Sequence, residues 1–502
     1  MASPADSPSP PAREAPAWPL AVALLLVVAA GALLWNTEQI NDVAWQLWVG
    51  RQLAHGVALY TDILEVNPPL WFWVAVPIVE LGQLLSISAY HVLIVCILAL
   101  DVAALLLVRR LCRDLQSGTL IVLTFPLITI FAFFDMFGQR EHLALITTIP
   151  YLVLVARRTE GLESSRTMAV ACGALAAFGI ALKPHFLLVP VALEIPLLIR
   201  TRRVTLRPEL LTLGASLSAY LLSTVLFASA FFDANFPMLR IYQRWGNPLT
   251  YQLSQPVVSM AFLLTAGRLL YGRSRSSVAQ AAFLVGLAFL AAYFFQGKGW
   301  RYHEIPAMGC FALAVVAEAE RFRPVATSPR TIAIVTLAAL LVLNLSSPPI
   351  RAIWINDHLD AQRATSDLQP GDVVAALPGA QYWPIPEERH FVWPSRHMVY
   401  WLLMYANGAS ASERFDPETA KLIQNDLHNA AHDLACNPPR RILESRAGPG
   451  FPESGLVHLL SDDPEFAQLI HSYRRGPDYG DFATYDRVGQ VPSRPATCRP
   501  IY

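Results

Sequence analysis

Charged residues are scarce in this 502-residue chain. They make up 15% of it, whereas hydrophobic residues make up 54% and the mean hydropathy is +0.39. Soluble globular proteins carry about 25% charged residues. This shortage argues against a soluble protein, and with the repeated apolar runs it predicts a polytopic α-helical membrane protein. The formal net charge is zero, so no basic surplus points to a nucleic-acid partner.

Lysine is the rarest charged residue. Only Lys183, Lys298 and Lys421 occur, so 35 of the 38 basic residues are arginine. Lys183 and Lys298 lie between apolar runs, and each is closely followed by a histidine, in "KPH" and "KGWRYH". In a chain that otherwise uses arginine, these two lysines are expected to have a specific role.

Cysteine is sparse as well, and its six positions show no zinc-binding spacing. Four cysteines lie in or beside apolar runs, where a thiol behaves as a small hydrophobic group. Cys436 and Cys498 lie in the polar C-terminal region. They could form a disulfide if that region is outside the cytoplasm.

Eleven apolar runs are predicted to be membrane-spanning helices. Residues 1–17, rich in Pro, Ala and Ser, are predicted to be a disordered cytoplasmic leader, and the membrane domain then occupies 18–347. The predicted spans are 18–35, 88–108, 118–136, 141–156, 167–182, 185–199, 209–231, 254–271, 277–295, 304–319 and 329–347.

The orientation of these spans follows from arginine clusters in the short connections. Two runs separate each cluster from the next, so all the clusters lie on one side, which the positive-inside tendency makes cytoplasmic. The N-terminus is then inside, and everything after the last span is outside. The clusters are Arg109/Arg110/Arg113, Arg157/Arg158, Arg200/Arg202/Arg203, Arg273/Arg275 and Arg321/Arg323.

The run 70–85, "LWFWVAVPIVELGQLL", is shorter and interrupted by Pro77, Glu80 and Gln83. As a helix it would reach about 24 Å, against a hydrocarbon core of about 30 Å. If the N-terminus is inside, this run begins and ends on the outer face. We therefore expect an interfacial helix within a first outer loop over 36–87. The alternative is a twelfth crossing with the N-terminus outside.

The C-terminal region, 348–502, is more charged and rich in proline, and it is predicted to be a small extracytoplasmic α/β domain. Asp416 followed by Pro417 is typical of the start of a helix. The predicted elements are strands at 372–377 and 481–487 and helices at 416–435 and 463–475.

Polar residues of unusual type gather in the outer loops. Carboxylates and cations beside lipid suit group transfer from a phosphate-linked donor, because a carboxylate takes a proton from a hydroxyl while cations stabilise the departing phosphate. Simpler roles remain open, such as a helix cap for Asp42, a local pair for Arg140 and Glu141, or an interfacial position for Lys183. The phosphate-binding candidates are Lys298, Arg301, His303, Arg140 and Lys183, and the further active-site candidates are Asp62, Glu65, Glu141, His142 and His185.

The first outer loop carries a family resemblance. After the first span come an acid, Asp42, an amphipathic segment, "YTD" and then "NPPLWFW". This order resembles the first outer loop of GT-C-class glycosyltransferases that use polyprenyl-phosphate sugars, such as protein O-mannosyltransferases and the aminoarabinose transferases of lipid A. The resemblance is close over about 36–75 and architectural elsewhere, and it implies a GT-C-like fold.

By position, the resemblance gives Asp42 the role of the first-loop catalytic acid, acting as general base or as a carboxylate that faces a metal ion. Many members have two adjacent acids there, whereas Val43 follows Asp42 here, which leaves a divalent metal cofactor open. Asn67 precedes Pro68-Pro69, where members often have a charged residue or His. This difference is expected to reflect a different donor sugar.

The sequence therefore predicts a glycosyltransferase of the bacterial inner membrane. It would move a sugar from a polyprenyl-phosphate donor to a hydroxyl of a lipid, glycan or protein on the extracytoplasmic face, with inversion. One alternative is a transporter or flippase of lipid-linked glycans, which would require functional polar residues near the bilayer midplane. Another is a receptor or assembly protein that works through 350–502. The donor sugar, the acceptor and the oligomeric state are not specified by the sequence.

Overall fold

A computed structural model describes residues 16–115, 117–202, 205–244, 246–272, 274, 276–318, 358–379, 382–408, 415–445 and 455–498. The predicted span at 329–347 and nearly all of the predicted leader at 1–17 lie outside these residues.

The described part of the membrane domain consists of helices that follow the apolar runs. Ser88, Ser165 and Ser276 begin three of them, and each serine side chain accepts a hydrogen bond from a backbone N–H three residues on. The helices are α1 Trp18–Leu34, α2 Asn41–Ala54, α3 Leu70–Leu85, α4 Ala89–Cys112, α5 Gly118–Thr129, α6 Arg140–Thr159, α7 Arg166–Ala181, α8 Leu188–Thr201, α9 Pro208–Phe227, α10 Ala230–Arg244, α11 Leu249–Leu253, α12 Pro256–Tyr271, α13 Ser277–Gln296 and α14 Arg301–Glu318, with 3-10 turns at Phe131–Met136 and Pro184–Leu187.

Helix α6 is the centre of the bundle. Every residue from Arg140 to Arg157 is buried, because α4, α7, α13 and α14 pack around the helix. A helix covered by protein in this way can carry charged residues at both ends without exposing them to lipid. By length and composition, the segments in the described residues that suffice to cross a membrane are Ala89–Cys112, Gly118–Met136, Pro184–Thr201, Pro208–Phe227 and Ser277–Gln296, and shorter apolar helices lie at Trp18–Leu34, Leu70–Leu85, Arg166–Ala181 and Pro256–Leu270.

The first loop contains the two expected helices. α2 is the amphipathic segment and α3 matches the run 70–85, and the two pack against each other. They approach closely at Gly50, where an added Cβ would lie 2.7 Å from the Cβ of Ala75. Only a glycine fits this contact without displacing α3.

The segment 231–248 lies between the predicted spans 209–231 and 254–271, and most of it is helical. The chain forms α10 there, followed directly by the short α11. The reason is visible in the apolar positions: Met238 and Ile241 are three apart and both are buried, while Phe231 packs on Tyr60 with ring centroids 5.2 Å apart. Such spacing places apolar side chains on one face of a helix.

The C-terminal domain has a four-stranded sheet in the order β1-β2-β4-β3. β1 and β2 are parallel, and the other pairs are antiparallel. The prediction missed β2, and it extended the last helix over residues that form β3. The strands are β1 Val374–Leu377, β2 Arg441–Ser445, β3 Tyr473–Arg475 and β4 Phe482–Arg487, and the helices are Ile385–Arg389, Trp401–Gly408, Pro417–Cys436, Gly455–Leu460 and Pro464–Ile470.

The structure of this domain contains the helix start expected at Asp416-Pro417 and a disulfide between Cys436 and Cys498. The Asp416 side chain accepts a hydrogen bond from the backbone N–H of Thr419, at 3.0 Å, and Pro417 is the first helical residue. Cys436 and Cys498 form a disulfide, with their Cα atoms 5.3 Å apart. The disulfide joins the end of the long helix to the C-terminal segment.

The C-terminal domain docks on α2. Trp45 and Trp48 stack on each other, and both meet Trp383 edge-on, at centroid distances of 5.5 and 6.2 Å. Arg51 makes a bidentate ion pair with Glu387, at 2.7 and 2.8 Å. The helix that begins with Asn41 and Asp42 is therefore held by the C-terminal domain on one side and by α3 on the other.

Candidate active site

One large cavity, about 2110 Å³ in volume, lies between one end of the helix bundle and the C-terminal domain. Helices α2, α6 and α14 begin at its wall, and α7 and α13 end beside it. Helix N-termini carry unpaired backbone N–H groups and a partial positive charge, which favour an anion. Eight of the eleven candidate residues line this cavity: Asp42, Glu65, Arg140, Lys183, His185, Lys298, Arg301 and His303.

Asp42 lies in the first turn of α2 and faces the cavity. Its Oδ2 accepts a hydrogen bond from Nε2 of Gln139 at 3.0 Å. Gln139 is the N-cap residue of α6, so this bond ties the carboxylate to the start of the central helix. The sequence interpretation missed Gln139, although it directly precedes the candidates Arg140, Glu141 and His142.

Glu65 has a fixed orientation at the cavity wall. Its Oε2 accepts from the indole N–H of Trp45 at 2.9 Å, and its Oε1 accepts from the backbone and side-chain amides of Asn67 at 2.9 and 2.6 Å. These hydrogen bonds fix the Glu65 carboxylate at the cavity wall and hold the chain before Pro68-Pro69.

Arg140 is the cation whose surroundings differ most from those of an ordinary buried arginine. Its side chain is 5% exposed and lines the cavity, and its Nε has no hydrogen-bond partner among the described residues. Asp42, Glu65 and Glu141 are close enough to act on its charge. A buried guanidinium normally satisfies its donors within the protein, so this one has donor capacity left for a ligand.

Lys183 belongs to a buried network. Its Nζ donates to Oε1 of Glu141, to Oε1 of Gln296 at 2.7 Å and to Nε2 of His303 at 3.3 Å. Oε2 of Glu141 and Nδ1 of His303 have no partner within the described chain. Glu141 does not line the cavity itself; it lies behind Lys183 and holds the ammonium at the wall.

Lys298 and Arg301 form a second basic group, in and next to the connection between α13 and α14. Nζ of Lys298 donates to the carbonyl oxygen of Tyr242 and lies 3.7 Å from the centroid of its ring. Burial lowers the pKa of Lys298 to about 8. Arg301 pairs with Asp135, with an Nε–Oδ2 distance of 3.2 Å.

Besides Glu141, two candidates lie away from the cavity lining. Asp62 borders a separate pocket of about 260 Å³, and its Oδ2 accepts from the backbone N–H of Ala58. Its role in the first loop is to close a turn. His142 is fully buried, bonded to the carbonyl oxygen of Thr129 and to the backbone N–H of Gly138. It lies one position beyond Glu141 on α6, which turns it away from the cavity.

Two groups of three side chains among the described residues have the geometry to hold a metal ion. One is Glu38, His358 and Glu388, and the other is His432, Cys436 and Cys498. The second group contains the disulfide, so its two sulfurs are not available as thiolates. Neither group includes Asp42, which is bonded to Gln139 instead.

One side of the cavity is apolar. Leu187, Leu188 and Val191, at and just before the start of α8, line the cavity together with Phe295 at the end of α13, and all four are at least 38% exposed. The same cavity thus joins a hydrophobic surface to a cluster of charges. This arrangement fits an amphipathic ligand whose polar head lies at Arg140 and whose tail lies along α8.

Comparison of the sequence with protein-family models gave no match, and comparison with curated proteins gave no significant match. Solved structures do match. A crystal structure of ArnT from Cupriavidus metallidurans bound to undecaprenyl phosphate is similar over 95% of this chain and 100% of that chain, with a TM-score of 0.55 at 11% sequence identity. An electron cryo-microscopy structure of the arabinofuranosyltransferase AftD from Mycobacteria is similar over 94% of this chain and 40% of that chain, with a TM-score of 0.44 at 14% identity.

At 11% identity the likeness to ArnT shows a shared fold, and that fold is the one expected from the first-loop motif. The helical bundle, the two packed first-loop helices and the small C-terminal sheet occur in the predicted order along the chain. The chain therefore has a GT-C-like fold, with a polytopic helical membrane domain followed by a C-terminal α/β domain.

Proposed function

We propose that the protein is a glycosyltransferase that moves a sugar from a polyprenyl-phosphate donor to a hydroxyl group of a lipid, glycan or protein. The likeness in fold to a protein whose structure holds undecaprenyl phosphate supports this class of donor. The observation that carries the proposal is Arg140: a buried cation with spare donors, near Asp42, in a cavity with an apolar side.

The donor would bind with its phosphate at the N-terminus of α6. Arg140 donates to phosphate oxygens there, and Lys183, held by Glu141, adds a second positive charge. The polyprenyl chain lies along Leu187, Leu188 and Val191. Its first isoprene units are then covered by protein, and the remainder lies in the bilayer.

Transfer would be a single displacement. Asp42 takes the proton of the acceptor hydroxyl while the oxygen of that hydroxyl attacks the anomeric carbon of the donor sugar. The bond between that carbon and the phosphate oxygen breaks, and the polyprenyl phosphate leaves with the electron pair. Arg140 and Lys183 stabilise the charge that builds on it. Gln139 orients the Asp42 carboxylate through the 3.0 Å hydrogen bond, and attack opposite to the leaving group inverts the anomeric centre.

The outer face of the bacterial inner membrane is the proposed location. Arg157 and Arg158 lie at the opposite end of α6 from Arg140, and Arg109 and Arg110 end α4. The positive-inside tendency makes that arginine-rich end cytoplasmic, so the cavity faces outward. The Cys436–Cys498 disulfide, on the cavity side, fits an oxidising compartment.

A transporter or flippase is less well supported. Its functional groups would lie near the middle of the bilayer, whereas Asp42, Arg140, Lys183 and Arg301 lie at or next to the ends of helices. Groups at helix ends suit chemistry at the membrane boundary.

The test uses full-length protein in lipid nanodiscs with a panel of polyprenyl-phospho-sugars. Mass spectrometry measures the polyprenyl phosphate that is released as the sugar is transferred to an added acceptor or, slowly, to water. We expect turnover of at least one donor, and a rate about 10²- to 10⁴-fold lower for Asp42→Asn, because the general base is lost.

Asp62→Asn is the matched control, because it makes the same change in the same loop outside the cavity. It should retain the wild-type rate. No turnover of any donor by the wild-type protein would refute the proposed donor class, and equal loss in both variants would refute the assigned role of Asp42.

A further inference from the structure

The C-terminal domain contributes its own polar group to the cavity. His397 and Asp426 line it together with Trp401, although neither His397 nor Asp426 belongs to the membrane domain. Asp426 is 4% exposed and His397 is 5% exposed. Their place in the cavity is on the wall opposite the ends of the membrane helices.

Asp426 is only half satisfied. Its Oδ1 accepts from Nε2 of His397 at 2.8 Å, whereas its Oδ2 is buried without a partner among the described residues. The other ring nitrogen of His397 lies 3.1 Å from Oγ of Ser395, so the ring cannot turn to serve both oxygens. A buried carboxylate oxygen without a hydrogen bond is costly, and its partner is therefore expected to come from a ligand in the cavity.

An aromatic surface connects this carboxylate with the basic part of the cavity. Trp401 lies edge-on to Tyr242 with ring centroids 5.0 Å apart, and Tyr242 is the ring above which Lys298 lies. Trp401 and Tyr242 both line the cavity. A ligand bound in this cavity can therefore pack against these two rings.

We propose that Asp426, His397 and Trp401 form the acceptor subsite and that it takes a neutral sugar with free hydroxyl groups. This inference rests on the proposed function. Oδ2 of Asp426 accepts hydrogen bonds from one or two neighbouring hydroxyls, and the indole of Trp401 packs against the C–H face of the ring. The negative charge disfavours an acceptor that presents a phosphate or carboxylate at this point. The acceptor class is thereby narrowed from lipid, glycan or protein to a glycan.

The variant that tests the subsite is Asp426→Asn, which keeps the size and the bond to His397 and removes the charge. Asp463→Asn is the matched control, because Asp463 is also buried and also bonded to a histidine, His428, at 2.9 Å, but lies outside the cavity. The probes are methyl glycosides of neutral hexoses, methyl glycosides of uronic acids and a serine-containing peptide.

With a donor that the wild-type protein uses, Asp426→Asn should raise the KM for the neutral glycoside about tenfold or more, the expected loss for a charged hydrogen bond. The donor KM and the slow release of sugar to water should change by less than about twofold. Asp463→Asn should leave the acceptor KM, the donor KM and the slow release of sugar to water unchanged. An unchanged acceptor KM in Asp426→Asn, or faster transfer to the uronic acid or the peptide than to the neutral sugar, would overturn the subsite.

Saturation-transfer NMR with the neutral methyl glycosides measures the same site without turnover. The wild-type protein should give a signal that Asp426→Asn loses. No signal from the wild-type protein rejects the subsite, whereas a signal without any donor turnover retains the subsite and rejects the proposed function.

Discussion

The two ends of helix α6 carry the same kind of residue in different states. Arg157, at one end, is 6% exposed and fully engaged: it donates to the carbonyl oxygens of Leu111 and Glu163 at 2.7 and 3.2 Å and pairs with Asp114. Arg140, at the other end, is equally buried at 5%, yet its Nε has no partner in the described chain.

The residues around Arg157 and those around Arg140 also differ in whether their polar groups have partners. Arg158 makes an ion pair with the buried Glu209 at 3.1 Å. At the other end, Gln139 Oε1, Glu141 Oε2 and His303 Nδ1 are buried without partners among the described residues. Native proteins satisfy most buried polar atoms. At one end of α6 both of its arginines are paired and maintain the packing of the bundle, whereas we infer that the unpaired atoms around Arg140 are left for a ligand.

The largest expected effect comes from exchanging the two arginines for glutamine separately. Arg140→Gln should lower turnover about 10²- to 10³-fold, since it removes a charge that stabilises the leaving phosphate, with little change in thermal stability. Arg157→Gln should cost about 2 kcal/mol of unfolding free energy through lost hydrogen bonds of a charged group, with turnover per folded molecule unchanged. Thermal denaturation and donor turnover on the same samples measure both. Loss of stability in Arg140→Gln with normal turnover would reverse the assignment.

The Lys183–Glu141 pair sharpens the comparison, because it is buried like a structural pair but lies at the cavity. Lys183→Met should lower both stability and turnover, since it leaves Glu141 charged and unpaired. Adding Glu141→Gln should restore stability and leave turnover about 10²-fold low. Recovery of turnover in the double variant would mean that the pair only holds the helices together.

A smaller effect is expected at the contact between α2 and the C-terminal domain. Arg51→Glu should weaken docking by about 1 kcal/mol, because the partly exposed bidentate pair with Glu387 becomes a repulsion. Turnover should drop a few-fold, as α2 carries Asp42. The charge-swapped double variant Arg51→Glu/Glu387→Arg should recover both, measured by limited proteolysis and donor turnover; no recovery would assign the loss to another contact.

The smallest effect is a pH dependence at Lys298, whose pKa burial lowers to about 8 from about 10.5. Between these values the unfolded chain holds the proton more tightly than the folded one, so the contribution of this group to stability rises with pH across that window. Its positive charge in the cavity, however, is lost above about pH 8. Turnover should therefore decline a few-fold there, and Lys298→Arg should move the decline to higher pH. An identical profile in Lys298→Arg would exclude Lys298 as the titrating group.

Much of the fold was predictable because local patterns dictate it. The apolar runs gave nearly all helix positions in the described membrane domain, and the Asp416-Pro417 pair marked a helix start that the structure confirms. β2 and β3 were missed because short strands lack a pattern of their own; β2 is buried along its whole length and pairs with β1 and β4. Helix α10 was not predicted, because its apolar residues alternate with polar ones and form no apolar run.

The sequence indicated some residues of the candidate site and gave no indication of others. Asp42, Arg140 and Lys183 stand out in the sequence because they are charged residues on the side of the membrane domain opposite the arginine clusters. Asp62 is chemically similar to Asp42 and only twenty residues away, but the turn it closes directs it to another pocket. Gln139, Trp401 and Asp426 carried no signal as strong, because their local sequence does not show that they share a cavity.

The sequence alone determined that the chain is a helical membrane protein, which end of each helix carries charge and which loop bears Asp42, the proposed general base. It did so because hydropathy and charge act on local segments of the chain. Only the tertiary structure decided which charges are neutralised by partners and which are left for a ligand. Burial and pairing depend on residues distant in sequence, such as Asp42 with Gln139 and Lys183 with Gln296. Their separation along the chain holds no information about the few ångströms between them.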